Sequence, residues 1–360
     1  MYFHILFYNF TIIASFKSIQ NAINRLGMFS FYAVFGYLLI YYNLKGANSH
    51  GQLGDGTASE FIKPTTINLV SGDITAMSLG GGHSIILNNL GQLFVTGQNS
   101  KGQLGINNRD EVFMYQWLET NLVFKTISCG WDSSAAITKD DKLYVWGSNA
   151  RQQLGFSSET VKLFTTPTEL ILPCNEVPTL ISFGLNFMVI LCKSNRIYIT
   201  GSCKYFLTEL EQFHIKSELI NDIPIIQLNP EAIMIQISCG QKHIVLLDEN
   251  NLIYAIGDNK FQQCQDIKSN KNVVKVCSGW THNGFLTESK HLYLYGRNNY
   301  GQLGNGIESE SLAYPQKCPI HPVDDFALGS QHCIIISNND IYTFGWNEHA
   351  NCGHDSTENM

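Results

Sequence analysis

GQNSKGQLG, residues 97–105, decides the fold because the chain repeats it. GANSHGQLG opens at Gly46, GSNARQQLG at Gly147 and GRNNYGQLG at Gly296, with weaker copies at Gly201 (GSCKYF), Gly257 (GDNKFQQC) and Gly345 (GWNEHANCG). Their leading glycines lie 51, 50, 54, 56, 39 and 49 residues apart. A period near fifty means one supersecondary unit used many times. A second phrase is locked to the first: LGGGHSIIL, SCGWDSSAA, SFGLNFMVI, SCGQKHIVL, CSGWTHNGF and ALGSQHCII align on glycines 80, 130, 184, 240, 279 and 329. From each of these to the next leading glycine is 17 residues five times and 16 once. A constant offset inside the unit and variable lengths outside it mark a rigid hairpin joined by tolerant loops.

The locked segment reads as two strands. A short apolar run such as Ile244-Val245-Leu246-Leu247 leads into a polar turn (TKDDK, CKSNR, SNND) of residues that tolerate tight-hairpin backbone. A second run follows, as in LYVWG, where Tyr144 and Trp146 share one face and Leu143 and Val145 the other. Both faces are apolar or aromatic, so both are expected to be covered by neighbouring sheets. The glycine that ends this strand lets the chain turn. The Asn two residues on (Asn48, Asn99, Asn149, Asn259, Asn298, Asn347) is expected to bond local backbone, and the following Leu to be buried. Such units suit a propeller, whose blades stack radially. The Gly-His and Trp-Asp pairing of WD repeats is absent, and the double glycine of kelch repeats occurs once, within Gly80-Gly81-Gly82.

The linked phrases, Gly-x-x-His at a strand start and Gly-x-Asn-x-x-Gly-Gln-Leu-Gly at a turn, resemble the repeat of the regulator of chromosome condensation family over residues 46–353. SCGWDSSAAIT and GWNEHANCG look most like its secretion-linked guanine nucleotide exchange members. The resemblance implies an all-β fold, a seven-bladed β-propeller. Seven leading-glycine phrases against six Gly-x-x-His phrases leave the count open, so an incomplete closing blade is expected. The expected division is an apolar N-terminal extension (1–45), the propeller repeats (46–353) and a short tail (354–360).

Residues 26–44, LGMFSFYAVFGYLLIYYNL, are uncharged and long enough to span a bilayer, so a membrane-anchored form is one reading. The other joins FSFYAVF directly to GANSHGQLG as one aromatic strand and its turn. Residues 36–45 then read as an insertion and 1–27 as an upstream extension before Met28.

The charge is −7 and no Lys/Arg block occurs, so the electrostatic footprint of nucleic-acid binding is missing. Membrane contact is expected only through residues 1–45. The ten cysteines include no Cys-x-x-Cys pair, and Cys129 and Cys239 occupy one repeat position, as small buried hydrophobes do. That usage favours a reducing compartment. Histidines 83, 243, 282 and 332 stand three after a blade glycine, where other copies carry Ser133 and Phe187, and read as imidazoles bonding backbone between strands. No metal spacing, nucleophile elbow or phosphate-binding loop is present. Neither catalytic residues, cofactor nor metal are therefore expected.

Function is left to the loops at one end of the ring. By resemblance, the family's exchange factor binds its small GTPase with acidic and histidine residues of such loops, which brings forward Asp132 beside Trp131 and His282 beside Trp280. Trp346, in the closing phrase, completes the candidate partner-binding set. The structural alternative is that Trp131 and Trp280 pack between blades. Residues 206–219, FLTELEQFHIKSEL, have helix-like spacing and depart from the repeat, either as an inserted candidate wedge element or as a decayed stretch of blade. The first functional reading is a guanine nucleotide exchange factor-like regulator of a small GTPase, in secretion and exocyst-linked, cytoplasmic and also nuclear. The second is a non-catalytic propeller scaffold that binds other proteins.

Overall fold

The computed structural model describes residues 10–13, 42–46, 48–58, 65–67, 72–202, 206, 216–221, 223–269, 271–307, 309–347 and 352. The elements there are almost all strands. β1 (Phe10–Ile13), β2 (Tyr42–Gly46) and β3 (Thr65–Ile67) form an N-terminal sheet. Each locked hairpin then becomes the centre of a blade. In blade 1, β4 (Ile74–Leu79), β5 (His83–Asn88), β6 (Leu93–Gly97) and β7 (Val112–Trp117) pair antiparallel in sequence order. Blade 2 repeats this with β8 (Phe124–Cys129), β9 (Ser133–Thr138), β10 (Leu143–Ser148) and β11 (Leu163–Leu170).

Blade 3 has five strands: β12 (Pro178–Phe183), β13 (Phe187–Cys192), β14 (Ile197–Gly201), β15 (Lys216–Ile220) and β16 (Ile223–Leu228), with β15 on the outer edge. Blade 4 holds β17 (Met234–Cys239), β18 (His243–Asp248), β19 (Leu252–Gly257) and the short β20 (Ile267–Lys268). Blade 5 holds β21 (Val273–Ser278), β22 (His282–Thr287), β23 (Leu292–Arg297) and β24 (Ser311–Lys317). Blade 6 shows three strands, β25 (Asp325–Leu328), β26 (His332–Ser337) and β27 (Asp340–Gly345).

The expected seven blades are thus corrected to six. Each blade needs a Gly-x-x-His hairpin and there are six of these. The extra leading glycine, Gly46, ends β2 in the N-terminal sheet, which lacks that hairpin. The helix-like reading of the wedge candidate is corrected at its described end. Its described end, Lys216–Ile220, is a strand paired with β16, and Phe206 is buried against the Phe187 ring at 4.8 Å. Residues 207–215 lie outside the described residues, as does most of the apolar N-terminal run, of which Tyr42–Gly46 is strand. Residues 354–360 lie outside them as well. Among the described residues, no helix is long and apolar enough to cross a membrane.

The turn phrase works as its residue types require. Asn Oδ1 accepts the N–H of the residue five on: Leu53 on Asn48 (2.9 Å), Leu104 on Asn99 (3.0 Å), Leu154 on Asn149 (3.1 Å), Leu303 on Asn298 (3.0 Å). In the weaker copies Cys264 and Cys352 take the leucine's place. These leucines are buried, so each such bond spares an orphaned donor worth about 1–3 kcal/mol. Gly147 shows why the strand must end in glycine: its φ is +92°, and a Cβ would stand 2.6 Å from Asp132 O.

The turn then docks on the following blade. Gln103 O accepts Trp146 Nε1 (2.9 Å) and Ser134 Oγ (2.7 Å), and Gln52 O accepts Ser84 Oγ (2.6 Å). The turn of the N-terminal sheet therefore grips blade 1 as the turn of blade 1 grips blade 2. Both faces of the third strand are covered, as β10 shows with Leu143, Val145 and Trp146 all buried.

Two of the histidines hold blades together through side chains rather than the expected backbone. His83 Nε2 meets Ser134 Oγ at 2.9 Å, and His243 Nε2 meets Asn283 Oδ1 at 2.7 Å, each on the next blade. The nine described cysteines are free, and all but Cys174 are buried; burial pushes the Cys129 and Cys239 thiols up to about 12.

Burial pushes the pKa of His83 down to about 3, of His243 to about 4 and of His282 to about 3, against 6.5 in an unfolded chain. Above pH 6.5 these rings are neutral in both states and do not bias folding. Below it the unfolded chain takes up protons the folded chain refuses, costing up to about 1.4 kcal/mol per pH unit per histidine until the folded values are reached. Melting temperature is therefore expected to fall steadily from pH 6.5 to 4, with a shallower slope in His243→Asn. A flat profile over that window would contradict the buried-imidazole account.

Candidate functional site

The blade topology sorts the loops onto two faces. One carries the Gly-x-x loops between first and second strands together with the Gly-x-Asn turns between third and fourth. The other carries the hairpin turns and the links between blades. On the first, the turn face, the Gly-x-x loops are tied to one another around the axis. Gly81 N–H donates to Trp131 O (2.8 Å), Leu185 to Gln241 O (3.1 Å), Gln241 to Trp280 O (3.0 Å) and Trp280 to Ser330 O (3.2 Å). The approach of Trp131 explains Gly81, where a Cβ would lie 2.7 Å from the indole.

Trp131 and Trp280 come from blades 2 and 5, 149 positions apart in the chain, yet their rings meet at 5.6 Å with a 42° tilt. Both are half-buried. Two inward loops on different blades therefore place a paired indole surface over the ring axis. The structure joins the two readings of these residues: they pack across blades and still show surface on the turn face.

Asp132 stands next to Trp131, half-buried, with its backbone carbonyl accepting Ser148 N–H at 2.9 Å. Burial raises its carboxyl pKa, opposed by a hydrogen bond from Ser148 and by the Lys101 charge. His282 is fully buried and cannot present a surface; it supports the Trp280 loop from below. Trp346 is half-buried on the same face of blade 6, where its N–H donates to Gln331 O at 2.9 Å. The structure thus unites Trp131, Asp132 and Trp280, leaves Trp346 to a separate blade and withdraws His282 into the core.

Two cationic features flank this centre and escaped sequence reasoning. A cleft of about 210 Å³ between blades 2, 3 and 4 is lined by Arg151, Leu185, Asn186, Ser202, Gln241 and Lys242. On the other side, the Arg297 guanidinium lies 4.5 Å from the Phe261 ring centre and 5.6 Å from that of Tyr300, while Lys260 Nζ stands 5.2 Å from the same Phe261 ring. The available signal was offset: these residues occupy repeated slots of the turn and blade-glycine phrases, which reading them as architecture passed over.

The arrangement offers rigid aromatic surface, a partly desolvated acid and held cations, the materials of a protein-docking hot spot. Among the described residues no group of three or more His, Cys, Asp or Glu could hold a metal. Residues 43–360 match the model of the RCC1-like domain. This chain belongs to the RCC1-like domain family. Other RCC1-like proteins include the mouse secretion-regulating guanine nucleotide exchange factor, 28% identical over 87% of this chain and 75% of the relative. The bovine protein of the same name is 26% identical over the same shares. Among solved RCC1-like structures, Prp20p from Saccharomyces cerevisiae, described with its binding to Gsp1p and histones, superposes with a TM-score of 0.75. It is 18% identical and the match covers 88% of this chain and 84% of Prp20p, a likeness of fold.

Proposed function

We propose that this RCC1-like propeller regulates a small GTPase by docking it on the turn face and promoting nucleotide exchange. The observation that carries the reading is the Trp131–Trp280 pair at the axis with Asp132 beside it. Exchange needs no covalent chemistry. It needs a rigid surface that binds the nucleotide-free GTPase more tightly than the nucleotide-bound form, and by linkage this weakens the nucleotide. The backbone bonds that tie neighbouring Gly-x-x loops together support the rigidity this requires. The names of the mouse and bovine relatives support exchange in a secretory setting, which we extend to this chain in the cytoplasm, with an exocyst-linked partner as the finer form of the proposal.

Release of fluorescent GDP from a panel of Ran, Rab and Ral GTPases tests it. At least one should be accelerated, and Asp132→Ala should cut that acceleration roughly tenfold, the scale of a single hot-spot residue. No acceleration on any member would leave the scaffold reading. That reading is favoured by Ile233, Ile235 and Val274, large apolar side chains exposed together at the start of the inner strands of blades 4 and 5, on the opposite face.

A further inference from the structure

Five cations of the opposite face are held by carboxylates. There, Lys125, Lys142, Arg196, Lys275 and Lys290 are each paired with a carboxylate: Asp141, Glu169, Glu176, Asp325 and Asp324. On the turn face His50 pairs with Glu111, but among the described residues no carboxylate is ion-paired with Arg151, Lys260 or Arg297.

Arg297 is moreover held in place. Its guanidinium is fixed by the Phe261 and Tyr300 rings, and its Nε is buried without an acceptor. An aromatic contact pins the plane of a guanidinium while leaving its outer N–H groups to make paired bonds with a carboxylate. The backbone N–H of Arg297 donates to Thr281 O at 2.9 Å, which sets this clamp beside Trp280. On the other side of Trp280, Gln241 donates to its carbonyl and lines the cleft that holds Arg151 and Lys242.

We infer that the turn face takes an acidic segment of its protein partner, with Arg297 and Arg151 as two carboxylate-recognising anchors on either side of Trp280. The inference rests on the reading of this face as the docking surface, and it names the chemistry of what docks. A nucleic-acid strand is disfavoured as occupant. Asp132, Asp258 and Glu310 stand among the cations of the same face, and the chain carries a charge of −7, so the face lacks the broad basic surface that a nucleic-acid strand requires.

The test is fluorescence anisotropy of fluorescein-labelled decaglutamate against the full chain at low salt. A labelled ten-nucleotide single-stranded DNA serves as the second probe. Decaglutamate should bind, with affinity falling as salt rises. Arg297→Glu and Arg151→Glu should each weaken it about tenfold or more. Arg297→Lys, which keeps the charge and loses the planar fork, should weaken it several-fold, and that arm decides if Arg297→Glu lowers the melting temperature. The control pair Lys139→Glu with Lys193→Glu, on the opposite face, should stay within about twofold. Equal decaglutamate affinity across wild type, Arg297→Lys and Arg151→Glu would overturn the inference. So would DNA bound as tightly as the peptide and lost in the same variants. Peptide binding that depends on Arg297 without exchange on any GTPase would uphold this inference while removing the exchange reading. Exchange that survives with indifferent anchors would do the reverse.

Discussion

Trp146→Ala is expected to remove about 3–5 kcal/mol of stability, most of what a domain of ordinary stability holds. The side chain is fully buried on β10, in a cluster with Ile85, Val95, Leu104, Phe124 and Cys129 that spans blades 1 and 2. Its Nε1 fastens Gln103 O, so the indole bolts the turn of one blade to the sheet of the next. Truncation would open a cavity at a junction that cannot collapse, because the surrounding strands are held by their own ladders. Gln103 O would keep Ser134 Oγ as a partner, so the loss is chiefly of packing. Urea denaturation should show a lower midpoint at an unchanged slope. Trp146→Phe, which keeps most of the volume and loses the N–H, should fall between. A loss below about 1 kcal/mol would mean that the blades are not coupled through this turn.

Trp280→Ala is expected to leave the fold nearly intact and to cost the GTPase complex at least about 2 kcal/mol, roughly thirtyfold in affinity, with a matching loss of exchange. The indole is half-buried and rests on Trp131, while the Trp280 loop is held through backbone atoms that alanine keeps. Trp131→Ala should behave alike. The double variant should lose less than the sum, by about 0.5–1.5 kcal/mol, because each ring positions the other. Isothermal titration against the nucleotide-free GTPase that responds in the exchange assay reads this directly. Strictly additive losses would separate the two rings functionally.

The fold was legible because its determinants are local and repeated. The glycine before Asn149, the leucine after it and the alternation of Leu143 to Trp146 each answer to a bond or a buried face within one unit. The blade count was legible in the six Gly-x-x-His phrases and not in the seven leading glycines, since Gly46 ends a strand that pairs with Phe10–Ile13 rather than with such a hairpin. Residues 216–220 have helix-like spacing but lie along β16, where a free sheet edge outweighs the local pattern. The candidate site was half legible. The loop position singled out Trp131, Asp132 and Trp280, whereas the meeting of two indoles 149 positions apart depends on how six blades close around an axis. His282 was misplaced because a Gly-x-x-His loop leaves the face at its second x, and the histidine already begins the buried strand β22. The Arg297 clamp depends on a contact between the turns of blades 4 and 5, which no single repeat encodes.

The claim on which the rest depends is that the turn face is where a partner docks. Hydrogen–deuterium exchange of the chain with and without its responding GTPase tests it most directly. Protection is expected in the Gly-x-x loops at 130–132, 240–242 and 279–281 and in the turn at 258–263, with the hairpin turns at 139–142, 193–196 and 288–291 unchanged. Protection confined to those hairpin turns, with the Trp131 and Trp280 loops exchanging as in the free chain, would contradict it.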